Sequence, residues 1–556
     1  MAIRAILAAT LAACASGAAI QKQATGVNST SCNGNNYVYE ELAGYGFVAS
    51  NAIDKFGDTL GGFGSSLHLD QGAWKKHCNG SYSGVLWALP DRGWNTEGTL
   101  NFNPRVHKFQ ILFTPKPNAT VSNPSSPNLQ FQYLDTIKFS GPDGTPCTGL
   151  DGDATGSLSY PGFPDLPVAT YEGDGFGGEG PGGKRIPVDS EGLYVNGDGT
   201  FWVSDEYGPY IYLFSAEGKM LTAIRPPEAI VPKRNGTDSF SADSPPRYIN
   251  NGSGDDVTPA NPDTGRDNNH GFEGLTVSGD GKFLYVLLQA ATVQEGGLEK
   301  QTERYTRFLK YDISDRLSPV YDGEWIVPLP LYVDPTAKPS KNPKVAAQSE
   351  VFALPNGQFF VLSRDSGAGN GQSVTQSVYR QIDVFDISGA TDIKAVGGYD
   401  CADATCAVAN ADNGSLKDAI TTATYCSFLD FNVNAQLNRF NVHNGGKADP
   451  GLLVSSCCPV PPFFSYVPLS ESRPLLIGFD MSAEQTNNEF QNEKWESIGL
   501  VPVNPKAPDG EYYVFSMSDN DFITQNGYMN GGELPYADES GFNLDNQALV
   551  FKISIS

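Results

Sequence analysis

The sequence is poor in the residues on which familiar hydrolases depend. Histidine occurs only 5 times in 556 residues. No His-Glu-x-x-His, Gly-x-Ser-x-Gly or Arg-His-Gly pattern occurs, so zinc-protease, serine-esterase and histidine-phosphatase chemistry all lack their signatures. Cations are scarce too, with 37 Lys and Arg against 63 Asp and Glu and a formal charge of −26. Nucleic acid is therefore not an expected partner, because a phosphate backbone is held by clustered Lys and Arg. An anionic substrate would need local positive charge, from a few Arg and Lys or from a metal. No apolar run is long enough to span a bilayer.

What the chain does have is turn and strand chemistry. Glycine occurs 61 times, proline 38 times, and aromatic residues make 11%. That profile belongs to an all-β, turn-rich protein rather than a disordered chain. At the N-terminus, Arg4 precedes the apolar run Ala5 to Ala13, and small residues follow from Ser16 to Ala19. Residues 1–19 read as a signal peptide, and an extracellular, secreted protein is expected. Leu11-Ala12-Ala13-Cys14 also matches a lipoprotein signal, which would make Cys14 a lipid anchor.

Beyond the signal stand Cys32, Cys78, Cys147, Cys401, Cys406, Cys426, Cys457 and Cys458. An even set in a secreted chain predicts disulfides, with local bridges in the cluster from Cys401 to Cys458. A zinc site is the rival reading, but no Cys-x-x-Cys pair accompanies the cluster. Sequons at Asn28, Asn79, Asn118, Asn235, Asn251 and Asn413 permit glycosylation.

The chain repeats itself. "DSEGLYVNGDGTFWVSDEYG" starts at Asp189, "FEGLTVSGDGKFLYVLLQAA" at Phe272, "QSEVFALPNGQFFVLSRDSG" at Gln348 and "KWESIGLVPVN" at Lys494. Each places a Glu before apolar residues two and four positions on, then a Gly turn, then an aromatic-rich strand. Glu191, Glu273, Glu350 and Glu496 are thereby equivalent, and an earlier copy carries Ser65 in their place. Side chains two apart share a face of a strand, so each Glu falls in step with core residues. The second strands end at Asp91, Glu206, Gln289, Arg364 and Asp519. Hairpin pairing returns these ends to the starts of the first strands.

Four-stranded units repeated along a chain predict a β-propeller, whose inner strands surround a channel. The Glu set would then ring its mouth. Five blades are countable, and "YVYEELAGYGFVAS" would close the ring by joining the C-terminal blade. Residues 401–489 fit no copy, and are either a degenerate sixth blade or an insertion with a helix around Leu416 to Phe440.

"LPDRG", "DSEGL" and "NHGFEGL", in that order, resemble the esterase-like phytase family, over about residue 61 to the C-terminus. The resemblance implies a phytase-like propeller domain, spanning 37–556, and ester or phosphoester hydrolysis. Two positions depart from the family: Gln289 stands where an acid is usual, and Ser497 follows Glu496 where Gly is usual.

Crowded carboxylates must bind cations, hold protons or pair with Arg. Oxygen-rich sites suit Ca²⁺, with Glu191, Glu206, Glu273, Glu350, Glu496 and Asp519 as candidate ligands. Glu191, Glu273 and Asp91 are also candidate catalytic acids or bases, with Arg364, Arg92 and His270 expected to hold an anionic substrate. Against this stands a structural reading, in which each Glu accepts backbone N–H groups of the adjacent blade and staples the ring. A calcium-dependent ester or lactone hydrolase, using Asn268, Asn269 and Asn520, is the alternative enzyme. A non-catalytic binding propeller is the alternative outside enzymes. The expected partner is a small ester or phosphoester, and the expected state a monomer.

Overall fold

The computed structural model describes residues 26–249, 257–370, 372–445 and 490–556. Each repeat forms an antiparallel sheet whose first strand lies innermost. Blade 1 is built from Ser66–Leu69, Tyr82–Leu89, Arg105–Phe113 and Leu129–Lys138. Blade 2 uses Ser190–Val195, Phe201–Asp205, Ile211–Phe214 and Met220–Ile224. Blade 3 uses Phe272–Val277, Phe283–Leu288, Tyr305–Asp312 and Val320–Pro328. Ala347–Ala353, Phe359–Arg364, Arg380–Asp386 and Thr424–Asp430 make blade 4.

Blade 5 joins both ends of the chain. Gly499–Pro502 pairs with Glu511–Asp519, which pairs with Asn546–Ile555. The N-terminal strand Asn35–Val48 then adds to Asn546–Ile555, from Tyr37↔Ile555 to Val48↔Asn546. This is the ring closure expected of "YVYEELAGYGFVAS", and Asn28–Cys32 adds one further strand outside it. The ring is a five-blade propeller.

Five apolar cores fill the five seams between neighbouring blades. At the seam of blades 3 and 4, Tyr285, Phe308, Phe359 and Phe385 interlock, with Phe308 edge-on to Phe385 at 5.1 Å. Such aromatic packing is what the alternating strands of the repeat supply.

Two expectations are corrected here. Among the described residues 401–489 contribute no sixth blade. Their strand Thr424–Asp430 is the outer edge of blade 4, reached by the long connection 387–423. The helix expected over Leu416 to Phe440 shrinks to Asn434–Leu437 and a short 3₁₀ turn, because "TYCSFLD" alternates as a strand. The cysteine pairing is mixed: Cys401–Cys406 is local, but Cys32 bridges to Cys426 across the seam of blades 4 and 5. Cys78 and Cys147 are unpaired, and Cys457, Cys458, Asn251 and the signal with Cys14 lie outside the described residues. No helix among the described residues is long and apolar enough to cross a membrane.

The inner strands approach closely. A Cβ on Gly192 would sit 2.6 Å from the Glu273 carbonyl oxygen, and one on Gly274 2.4 Å from the Val351 nitrogen. Only glycine lets blades 2, 3 and 4 meet there, which explains Gly after Glu in "SEGL" and "FEGL".

Candidate functional site: an acidic channel mouth

A β-bulge opens the inner strand of several blades. In blade 2, Ser190 pairs with Asp205 and Gly192 with Ser204, leaving Glu191 as the extra residue. In blade 3 the register shifts between Phe272 and Leu275, so Glu273 no longer follows the pleat of Leu275 and Val277. The shared face read from the sequence is broken at that point, since a bulge re-aims the side chain it carries. Just past the second strands, Glu206 N donates to Asp189 O at 2.9 Å, and Asp519 pairs with Lys494. Strand starts and strand ends therefore gather, as hairpin pairing requires.

The gathered side chains are mostly acids, and they are buried. Glu191 is 6% exposed, Glu273 3%, Glu206 2%, Glu496 3%, Asp91 3% and Asp519 2%. Ligand oxygens of Asp189, Glu191 and Glu206 lie within 4.8 Å of one another, as do those of Asp91, Asp519 and Asp521. Burial raises the carboxyl pKa of Glu191, and the charges of Glu273, Asp189, Glu206 and Glu496 raise it further. Glu273 is raised likewise, by burial and then by Glu206 and Glu496.

Three cations answer these acids. Arg92 donates through Nη1 to Asp189 Oδ2 at 2.7 Å and to Asn269 Oδ1. Arg364 reaches Glu493 at 2.8 Å and Glu496 at 2.5 Å. Lys494 lies 2.7 Å from both Asp519 and Asp521. The Asp91–Asp519–Asp521 group thus has its own cation. Glu191 and Glu206 have none: neither carboxylate accepts a hydrogen bond from a described residue, and Glu206 Oε1 is a buried atom without a partner. Glu273 Oε1 takes the Gln289 amide, while its buried Oε2 has no partner.

Two expected members stand apart. Glu350 sits in the ladder opposite Leu362, because the blade 4 bulge falls one residue earlier. Its Oε1 accepts N–H groups from Leu275 at 3.1 Å and Val351 at 2.9 Å, and its Oε2 accepts the Ser66 hydroxyl at 2.5 Å. Glu350 therefore staples blades 1, 3 and 4 and has no free lone pair aimed at the mouth group. Ser66 rather than Ser65 is its counterpart, taking the Leu193 N–H at 3.1 Å. His270 faces Asp267 and Glu303 instead of the mouth acids.

Sequence reasoning missed Asp189, Glu493, Lys494 and Asp521. Asp189 and Lys494 each stand two residues before a repeat Glu, opposite the end of the second strand. That shared position carried the signal.

Asp91 gives the mouth a pH dependence. Burial above all, opposed by Lys494 and reinforced by Asp189 and Asp521, pushes its pKa from 3.8 up to about 8. A raised acid favours the folded state below its unfolded pKa, and that stability is lost as pH rises through the folded value. In chelator, the melting temperature is expected to fall as pH climbs from 3.8 to about 8. Asp91→Asn should flatten that slope; an unchanged slope would show that other groups set it.

With this geometry in place, likenesses to known proteins can be set beside it. The family described as "Phytase-like: Esterase-like activity of phytase" matches residues 60–423. An "Uncharacterized secreted protein" of Arthroderma benhamiae is 49% identical over 508 residues, spanning 90% of this chain and 90% of its own. Among solved structures, a luciferin-regenerating enzyme aligns over 89% of this chain and 92% of its own, at 9% identity. The GH43 protein BlXynB of Bacillus licheniformis aligns over 63% and 50%, at 10% identity. Their TM-scores of 0.25 and 0.22 are too low to carry any argument.

Proposed function

The chain belongs to the phytase-like family, and from that premise we propose a calcium-assisted hydrolase of phosphoesters working at the acidic channel mouth. Family membership supports the coarser part, a hydrolase-type function acting on ester bonds. The finer part rests on one observation: buried Glu206 and Glu273 oxygens without partners, beside a Glu191 that also has none.

Unpaired buried carboxylates are costly unless protonated or bound to a cation. All-oxygen donors suit a hard ion, and Asp189, Glu191, Glu206 and Glu273 would hold calcium best, because Lys494 already neutralises the other group. Bound there, calcium would polarise a phosphoryl oxygen and acidify a water. The protein's own residues do the rest. Gln289 fixes the Glu273 carboxyl by holding Oε1, leaving Oε2 to accept a proton from the attacking water. Arg92 and Arg364 keep 14% and 11% of their side-chain surface exposed, and so form the outer rim that a substrate meets first.

One feature favours the second reading, a carboxylic ester or lactone. Both arginines are already tied to carboxylates, so neither is a free anion receptor. The test is a panel of phytate, phosphomono- and diesters, carboxylic esters and lactones, with calcium or with chelator. Calcium-dependent turnover of a phosphoester is expected, lowered about 10²-fold or more by Glu273→Gln. Turnover confined to carboxylic esters or lactones would transfer the site to the second reading. No turnover of any substrate with calcium present would end the enzymatic proposal.

A further inference from the structure

A second group of polar side chains meets outside the mouth. His270 Nδ1 lies 4.0 Å from Asp267 Oδ2 and 4.0 Å from Glu303 Oε2. His270 Nδ1, Asp267 Oδ1 and Glu303 Oε1 are buried atoms, and none has a hydrogen-bond partner. Glu303 is 1% exposed, so water does not replace the missing bonds from outside. Three different side chains with unmet valence in one place is unusual, because buried polar groups are nearly always paired.

The backbone holds these residues firmly. His270 N donates to Asp267 O at 3.2 Å, closing a tight turn with Asn269 at a φ of 53°. Gly271 then packs on Glu206, where a Cβ would come 2.0 Å from the carbonyl oxygen. Glu303 is anchored from the other side, its carbonyl accepting Ala291 N at 3.0 Å.

We propose that His270, Asp267 and Glu303 form a divalent transition-metal site, with one imidazole nitrogen and two carboxylates as ligands and zinc as the fitting ion. Imidazole with carboxylates suits zinc, whereas calcium calls for more oxygens and no nitrogen. Ligands about 2.0–2.2 Å from a tetrahedral ion stand roughly 3.3–3.5 Å apart, so a small inward rotation from 4.0 Å closes the set. The imidazole is in its ligand form: burial, then Lys300 and Arg266, push its pKa down to about 3. Lys300 Nζ is the competing cation, 3.4 Å from Glu303 Oε1, but its side chain is 44% exposed and free to leave. The neighbouring Asn269 accepts the Arg92 guanidinium, so the ion would brace the loop that holds Arg92 at the mouth.

The full-length protein, stripped with chelator, is dialysed against zinc in excess calcium and its metal content measured. One zinc per chain is expected in the wild type and none at this site in His270→Asn or Glu303→Gln. Cobalt as a substitute should give visible absorption bands in the wild type that both variants lose. Equal zinc in wild type and variants would place the ion elsewhere and overturn the assignment. Should a variant fold poorly, the wild type alone decides: zinc must raise its melting temperature in calcium-saturated buffer, and no rise overturns the site.

Discussion

Glu350→Ala is expected to destabilise the protein by about 3–5 kcal/mol, while Glu191→Gln should change stability by no more than about 1 kcal/mol. The two residues hold the same place in the repeat, yet their surroundings differ. Removing the Glu350 carboxyl strands the Leu275 and Val351 N–H groups and the Ser66 hydroxyl in a dry seam. Each buried group left unpaired costs about 1–3 kcal/mol, and the vacated volume adds to the loss. Glu350→Gln keeps an acceptor for both N–H groups, so it should cost about 1 kcal/mol or less. At Glu191 no described group depends on the carboxylate, and four acids crowd it. Exchanging it for a neutral amide relieves repulsion, and in chelator the effect should be slightly stabilising. Urea denaturation of the three variants in chelator decides the matter. Equal losses for Glu350→Ala and Glu191→Gln would mean that Glu191 is a staple too, and the mouth would lose its claim to a ligand.

The repeat made the blades legible because seam packing imposes a local, period-two pattern on every strand. Closure by residues 37–48 was legible for the same reason, since the last copy lacked an outer strand. Whatever depended on single-residue register was not. Bulges at Glu191 and between Phe272 and Leu275 leave no mark in hydrophobic alternation, so Glu273 read as a core-facing residue. The same one-residue uncertainty put Ser65 where Ser66 belongs, and hid that Glu350 sits in the ladder while Glu191 does not. Long connections blurred the rest. Thr424–Asp430 lies beyond residues 387–423 from its partner strand, so it read as part of an unassigned segment. Cysteine spacing pointed to local bridges because sequence distance carries no information about which blades become neighbours when the ring closes.

Loss of the Cys32–Cys426 bridge is expected to cost about 2–5 kcal/mol, and to loosen blade 5 before the others. The two cysteines are 394 residues apart, so the bridge ties nearly the whole described chain into a loop. In the chain-entropy description a longer loop restricts the unfolded state more, which puts this bridge at the upper end of the range. It also sits where the ring is joined. Asn28–Cys32 is the outermost strand of blade 5, and beyond the disulfide its tie to blade 4 includes the Asn28 amide on the Phe428 carbonyl at 2.5 Å. Without the bridge that edge can fray, exposing the Asn35–Val48 strand beneath it and through it the pairing with Asn546–Ile555. The Cys401–Cys406 bridge spans only 5 residues within the blade 4 connection, so it constrains little and its loss should cost less than half as much. Paired serine substitutions at each bridge, compared by thermal melting and hydrogen exchange, separate the two. Faster exchange in residues 28–48 for Cys32→Ser/Cys426→Ser, with blades 2 and 3 unchanged, is the expected pattern. Uniform acceleration across all five blades would mean that the ring opens as one unit and that the seam of blades 4 and 5 is no weaker than the rest.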